Sequence, residues 1–361
     1  MRVGIINFHG SYNYGSLLLT YALQKTIEDR GHEVKIINYL SSQQRNQYNL
    51  PILVSRHPIK RFIERLYWLP YINGMRLKYE KFDKFRNSHL NLTEEYYGLN
   101  ELKSIDDSFD VIISGSDQIW NLGCYDFSWA YYLTFSNKAK KVSYAPSIGP
   151  GKNWLDDKNR AKVVNALKDY QYISVRDSNT QHFVEYLINI KPEIVLDPTM
   201  LLTKKEWADL VGDIPLIHGK YIFYYDPFDH KEGFRLAQEY GKKKGLKVIT
   251  SNVYQAFYQP LSTFKHKIDC GPIEFLNLIK YADICIGRSF HLAVFCILFH
   301  KRFIIVNGES DERVKELYKM FEIENYSKNQ LVTLNAENID SILIKERIKS
   351  NEFLNMCLRE C

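Results

Sequence analysis

At 361 residues the chain exceeds the size at which one hydrophobic core stops growing, so two domains are expected. Its composition is globular, 45% hydrophobic and 25% charged, and its apolar run at 293–299 is far too short to span a bilayer. The net charge is +6, but no nucleic-acid recognition motif accompanies it, so no nucleic-acid partner is expected.

The chain opens on a strand pattern, VGIINF (3–8). The run is continuously apolar, as in a parallel strand covered on both faces. HGSYNYGS follows as a loop, and Ser16 can cap a helix that runs through LLLTYALQKTIEDR to the stop at Gly31. Strand EVKIINY (33–39) completes a βαβ unit. The entry straight into a strand carries no signal peptide, so a cytoplasmic protein is expected.

An irregular basic segment, 41–100, comes next. Residues 56–90 hold nine Lys or Arg and three acids, which accounts for the whole net charge of the chain. Phe62, Leu66, Tyr67, Trp68, Leu69 and Tyr71 are interleaved with them. Such a segment is either a solvated helical hairpin or a peripheral contact with the inner membrane face.

Strand patterns resume at DVIISGS (110–116), KVSYAPSIG (141–149) and YISVRD (172–177), with a helix behind the last. EIVLDPTMLL (193–202) reads as a further strand and a crossing segment. The second half restarts the alternation: strands at 220–225, 246–250, 283–287 and 302–306, helices at 231–244, 272–282, 291–300 and 311–321. Helical periodicity returns over 336–361. Alternating strands and helices in both halves imply two parallel-sheet α/β domains, which bind ligands beyond the carboxyl ends of their strands. The expected division is 1–200 with the basic insertion 41–100, then 201–335, then a helix at 336–361 packing back on the N-terminal domain.

Four loops carry candidate chemistry. In the first, Asn13, Tyr14 and Gly15 stand at a helix start, where backbone N–H groups can receive an anion or a sugar hydroxyl; a plain β–α turn is the alternative. The second is Gly115-Ser116-Asp117-Gln118, with Trp120 behind it. Asp117 can take a proton from a hydroxyl and Trp120 offers a stacking face for a sugar, or Asp117 simply caps a turn. The third is Arg176, which must meet an anionic ligand or an aspartate of its own domain such as Asp177. The fourth is Gly287-Arg288-Ser289-Phe290-His291 opening the helix LAVFCILF, a cationic helix start beside a titratable group. His291 is either functional or a satisfied structural residue. No HxxxH, DxD, GxSxG or GxxxxGK[ST] occurs, and no metal is expected. Six cysteines form no CxxC; Cys285 and Cys296 read as buried thiols.

The blocks NYGSLLLTYALQKTIEDRGHEVKIINY, IISGSDQIWN, SYAPSIG, ISVRDS, VLDPTMLL, GPIEFLNLIKYADICIGRSFHLAVFCILFHKRFIIV and DERVKELYKMF span roughly residues 3–325. In that order they resemble the polysaccharide pyruvyl transferase family. The resemblance implies a GT-B-like fold, two Rossmann-like domains with parallel sheets facing across a cleft. It implies transfer of pyruvate from phosphoenolpyruvate, a co-substrate, to a saccharide as a ketal, with no cofactor. The acceptor would be a surface polysaccharide or its lipid-linked precursor. His291 matches the family histidine and Arg176 the arginine after the mid-chain strand. Ser289 stands where some members carry an arginine, with Arg288 one position earlier, and Leu292 replaces the glycine that often follows the histidine.

On this reading His291 and Asp117 are catalytic. Arg176, Arg288 and Ser289 bind the donor. Asn13, Tyr14, Gly15, Ser116, Gln118 and Trp120 bind the acceptor. A nucleotide-sugar glycosyltransferase and a non-catalytic saccharide-binding protein are the alternatives.

Overall fold

Why β1 (Arg2–Ile6) sits at the centre of a sheet is plain from its composition: Val3, Ile5 and Ile6 are wholly buried, so both faces are covered. A computed structural model describes residues 1–41, 57–149, 155–227, 231–252, 264–323 and 328–359. Within these, helix α1 (Tyr14–Glu28) and strand β2 (Glu33–Tyr39) follow β1. Helices α2 (Pro58–Trp68) and α3 (Ile72–His89) precede β3 (Leu92–Tyr96) and the short α4 (Leu99–Leu102). Then come β4 (Val111–Ser114), β5 (Lys140–Ser143), α5 (Asp157–Lys168), β6 (Tyr172–Val175), α6 (Ser178–Ile188) and β7 (Glu193–Ile194).

Past α7 (Lys204–Val211) the second alternation runs through β8 (Tyr221–Tyr225), α8 (Lys231–Lys244), β9 (Lys247–Thr250) and β10 (Lys265–His266). It continues with α9 (Pro272–Lys280), β11 (Ile284–Gly287), α10 (Phe290–Leu298), β12 (Arg302–Ile305) and α11 (Glu312–Met320). The last helix is α12 (Ala336–Cys357).

Two compact units result: Met1–Gln47 with Arg86–Leu202 and Leu343–Cys361, and Tyr48–Phe85 with Thr203–Ile342. The first holds a sheet of order β3-β2-β1-β4-β5-β6-β7, the second a sheet of order β10-β9-β8-β11-β12. Every described strand pair in both is parallel. The expected α/β class with two parallel sheets is what the chain forms.

Each sheet has one point where the strand order reverses. In the first it lies between β1 and β4, where Val3 pairs with Val111 and Ile6 with Ser114. In the second it lies between β8 and β11, where Tyr225 pairs with Gly287. Such a point opens a crevice at the carboxyl ends of the two strands, because the loops leave in opposite directions. Three of the four candidate loops emerge at these two places, and Arg176 stands two strands away at the end of β6.

Several elements differ from the sequence reading. The cap of α1 is Asn13 rather than Ser16: its side chain accepts from the backbone N–H of Gly15 and Ser16. Of the stretch 193–202, read as a strand and a crossing segment, the strand is only Glu193–Ile194, and the crossing segment contains a 3-10 turn over Pro198–Met200. Pro198 has no N–H to give to a ladder. Strands β3 and β10 are edge strands that the sequence did not disclose, since a half-exposed LTEEY has no apolar run. Of the basic segment, residues 42–56, including Arg56, lie outside the described residues. Cys285 and Cys296 are buried free thiols, as expected. No helix among the described residues is long and apolar enough to cross a membrane.

Candidate active site

At the first switch point the chain leaves β4 through Gly115, and a side chain there is impossible. A Cβ would lie 2.0 Å from the carbonyl oxygen of Tyr144 on the neighbouring strand. The Gly115–Ser116 peptide is cis, and Asp117 follows in the left-handed region at φ 79°. Asn7, at the end of β1, donates from Nδ2 to the Gly115 carbonyl at 3.1 Å, and Thr20 of α1 donates to Asn7 Oδ1 at 3.0 Å. Three elements thereby fix the turn that carries Asp117.

Asp117 is only partly buried. Its Oδ2 accepts from the Ser16 hydroxyl at 2.6 Å and its Oδ1 from the Gln118 backbone at 2.8 Å. The turn contact expected of Asp117 is therefore present, and a hydroxyl already occupies one carboxylate oxygen. A carboxylate receiving an O–H at this distance has the geometry needed to take up a proton from an alcohol.

Arg176, at the end of β6, is buried, with its side chain 3% exposed. Its Nη1 lies 3.1 Å from Asp197 Oδ2 and 3.8 Å from Asp117 Oδ1. Burial works against its charge, and Asp197, Asp117 and Asp177 more than offset that, raising its pKa above the ordinary arginine value. Asp197 is itself locked: its Oδ1 accepts from Thr199 N–H at 3.0 Å and Thr199 Oγ1 at 2.7 Å. Arg176 thus meets aspartates of its own unit, one of the two readings open from sequence, but the principal partner is Asp197 rather than Asp177. Asp197 is the residue that sequence reasoning missed. Its signal was present as an acid between an apolar strand and a proline in VLDPT.

Other expected ligands are placed differently. Trp120 is completely buried and stacks on Tyr132 with ring centroids 5.3 Å apart. Its Nε1 donates to Ser114 Oγ and the Tyr131 carbonyl. The ring is a core residue and presents no face to a sugar; an indole this large gains about 1.5–3 kcal/mol or more from such burial. Ser116 is buried and donates to the Ala145 carbonyl at 2.7 Å, and Tyr14 is buried as well. The Gly15 amide is taken by Asn13 Oδ1 at 2.9 Å, so the helix start offers less to an anion than its sequence implied. Asn13 itself is exposed and Gln118 half-buried.

Beneath this turn lies His9, fully buried, with Nε2 donating to Asn38 Oδ1 at 3.0 Å. Burial pushes its pKa from 6.5 down to about 4, the bond to Asn38 opposing and Arg86 assisting. The unfolded chain takes up this proton near 6.5, the folded one near 4. Stability from this group is therefore complete above pH 6.5 and lost as the pH falls toward 4. By pH 5 the expected loss is on the order of 2 kcal/mol. Urea unfolding at pH 7.5 and 5 measures it. His9→Gln should remove that increment of pH dependence, and an unchanged difference between the two pH values contradicts the assignment.

At the second switch point β11 ends on Gly287, where a Cβ would lie 1.9 Å from the Tyr225 carbonyl. The close approach lets Arg288 N–H bond to Tyr225 at 3.2 Å and turns the chain into α10. Ser289 caps α10, its Oγ accepting from Leu292 N–H at 3.4 Å. Residues 292–298 are all buried, which anchors the helix and fixes its N-terminus. His291 is half-buried, and its ring lies edge-on to Phe290 at 5.3 Å. Arg288 is half-buried, and its guanidinium has no hydrogen-bond or ion-pair partner among the described residues. Arg313, over the Phe290 ring at 5.8 Å, is by contrast held by Asp311 at 2.8 Å. Arg288, Ser289 and His291 are thus gathered on one unit, Asp117, Ser16, Arg176 and Asp197 on the other.

The architecture is shared with solved structures of low sequence identity. A Listeria monocytogenes protein assigned as a UDP-N-acetylglucosamine 2-epimerase superposes with a TM-score of 0.50 at 10% identity, over 99% of this chain and 91% of that one. The UDP-bound MnaA of S. aureus gives the same TM-score and identity, over 98% and 89%. These likenesses define the class of fold, GT-B-like with two Rossmann-like parallel sheets. The sequence model of the polysaccharide pyruvyl transferase family matches residues 13–310, most of the chain, with all the candidate site residues inside that range. The chain belongs to that family. No curated protein matches its sequence.

Proposed function

We propose that the protein moves pyruvate from phosphoenolpyruvate onto a saccharide as a ketal, the acceptor being a surface polysaccharide or its lipid-linked precursor. Family membership supports a transferase of this kind. The donor carries a carboxylate and a phosphate and needs an uncommitted cation. The observation that carries the reading is Arg288, whose charge has no partner among the described residues and stands three positions before His291 at the head of α10. Arg176 is already balanced by carboxylates, so its role here is to orient Asp117 rather than to hold the donor.

His291 gives a proton to the terminal carbon of the enol, and C2 gains oxocarbenium character. A first acceptor hydroxyl adds to C2 while Asp117 takes its proton. Phosphate leaves C2 with the bonding pair, a second hydroxyl closes the ketal with its proton passing to the departing phosphate, and exchange with solvent returns the proton on Asp117 to His291. Phosphoenolpyruvate enters as a co-substrate, and no cofactor is part of the step.

Product analysis tests this. Incubation with phosphoenolpyruvate and a saccharide acceptor should release phosphate and leave the acceptor heavier by one pyruvate less one water. Saturable binding of a nucleoside diphosphate sugar, with phosphoenolpyruvate neither bound nor consumed, overturns it.

A further inference from the structure

Helix α2 turns its apolar face the wrong way for a globular protein. Ile59, Phe62, Ile63, Leu66 and, just past its end, Leu69 fall at helical spacing and are between 43% and 66% exposed. At about 100° per residue these five positions occupy an arc of about 120°. A stripe of this width normally faces a core. Here the core is served from about the opposite side, where Trp68 is buried with Tyr71, Met75 and Ile268. The helix is therefore anchored by its back, and its hydrophobic front is uncovered.

The charges around the stripe identify what it fits. Lys60 and Arg65 are exposed and stand just outside the two edges of the apolar arc, while Arg61, also exposed, lies toward the back of the helix near Trp68. On α3 of the same unit Arg76 and Lys84 are exposed too, whereas Lys78 is buried and Lys81 is tied to Asp269 and Glu274. A second copy of this face would bring like charges together, which opposes self-association. An anionic bilayer surface offers both halves of the match: acyl chains for the five apolar side chains and headgroup phosphates for the flanking cations.

We propose that α2 is an in-plane docking helix that seats this unit on an anionic lipid surface. The inference stands on the surface alone and does not depend on the reaction the protein catalyses.

Sedimentation with phosphatidylcholine vesicles, with and without phosphatidylglycerol, tests it on the full chain. Binding should require phosphatidylglycerol and weaken with added salt. Replacing Lys60 and Arg65 together by Gln should weaken it by about thirtyfold. Phe62→Ser with Leu66→Ser should weaken it by about tenfold or more. Both variants alter only exposed side chains and should keep the wild-type circular dichroism. Two results would overturn the proposal. One is wild-type binding no stronger to phosphatidylglycerol vesicles than to phosphatidylcholine at low salt. The other is a wild-type dimer that Phe62→Ser with Leu66→Ser dissociates, which assigns the face to a second copy.

Discussion

Replacement of His291 by Gln should lower the rate of phosphoenolpyruvate-dependent product formation by about 10²–10⁴, the contribution of a positioned general acid. The fold should survive. His291 is half-buried on the first turn of α10, whereas the helix is held by the buried residues 292–298 behind it. Ser289→Ala supplies the comparison. It removes the cap of α10, costs about 1 kcal/mol of stability, and leaves the acid in place. A low rate in the His291 variant with an unchanged melting curve therefore reads as chemistry. Turnover within a few-fold of wild type removes His291 from the proton transfer.

The second large effect is on stability and lies in the first unit. Asp197→Ala should lower the free energy of unfolding by about 3–5 kcal/mol. The reason is what remains behind. Arg176 stays buried, with Asp117 at 3.8 Å in place of a full ion pair at 3.1 Å, and Thr199 loses both bonds to Asp197 Oδ1. The surface pair Lys205–Asp209 has a shorter contact, 2.7 Å, but both side chains are mostly exposed. Asp209→Ala is expected to leave the denaturation curve in place, because solvent and salt screen such a pair. Equal effects at the two sites would mean that burial does not govern the Arg176 interaction. The same pair explains why Asp117 keeps one orientation. Its carboxylate is fixed by Ser16 and Gln118, with the Arg176 charge beside it.

Much of this architecture was legible in the residues. Strands with continuous apolar runs, such as VGIINF and DICIG, announced themselves because both faces of a parallel sheet are covered. The loops at Asp117 and Arg288 were visible because Gly and a polar residue ended the apolar runs DVIIS and DICIG. The elements that stayed hidden had physical reasons to do so. Edge strands β3 and β10 bury little, so no apolar pattern marks them. Trp120 looked like a stacking platform because sequence shows adjacency to Asp117 but not direction. Three positions along, the chain has turned inward and the indole sits on Tyr132. Arg176 was open to an anionic ligand because, apart from the adjacent Asp177, its carboxylate partners Asp117 and Asp197 come from separate parts of the chain. Ser16 looked like a helix cap because nothing in the sequence showed that Asp117 would claim its hydroxyl.

The two sites also differ in electrostatic kind, and the difference was not readable from the motifs. The Asp117 site is rich in carboxylates, with its arginine already neutralised. The Arg288 site is cationic and sits at the start of an apolar helix. The proposed reaction assigns its hydroxyl acceptor to the first and its anionic donor to the second.

Carbon-13 labelling of phosphoenolpyruvate at C2 tests the pyruvyl transfer most directly. After incubation with the protein and a saccharide acceptor, the label should reside in the acceptor as a carbon bonded to two sugar oxygens, with one phosphate released for each carbon transferred. Label that stays in phosphoenolpyruvate or appears only as free pyruvate, while a nucleoside diphosphate sugar modifies the same acceptor, would contradict the account.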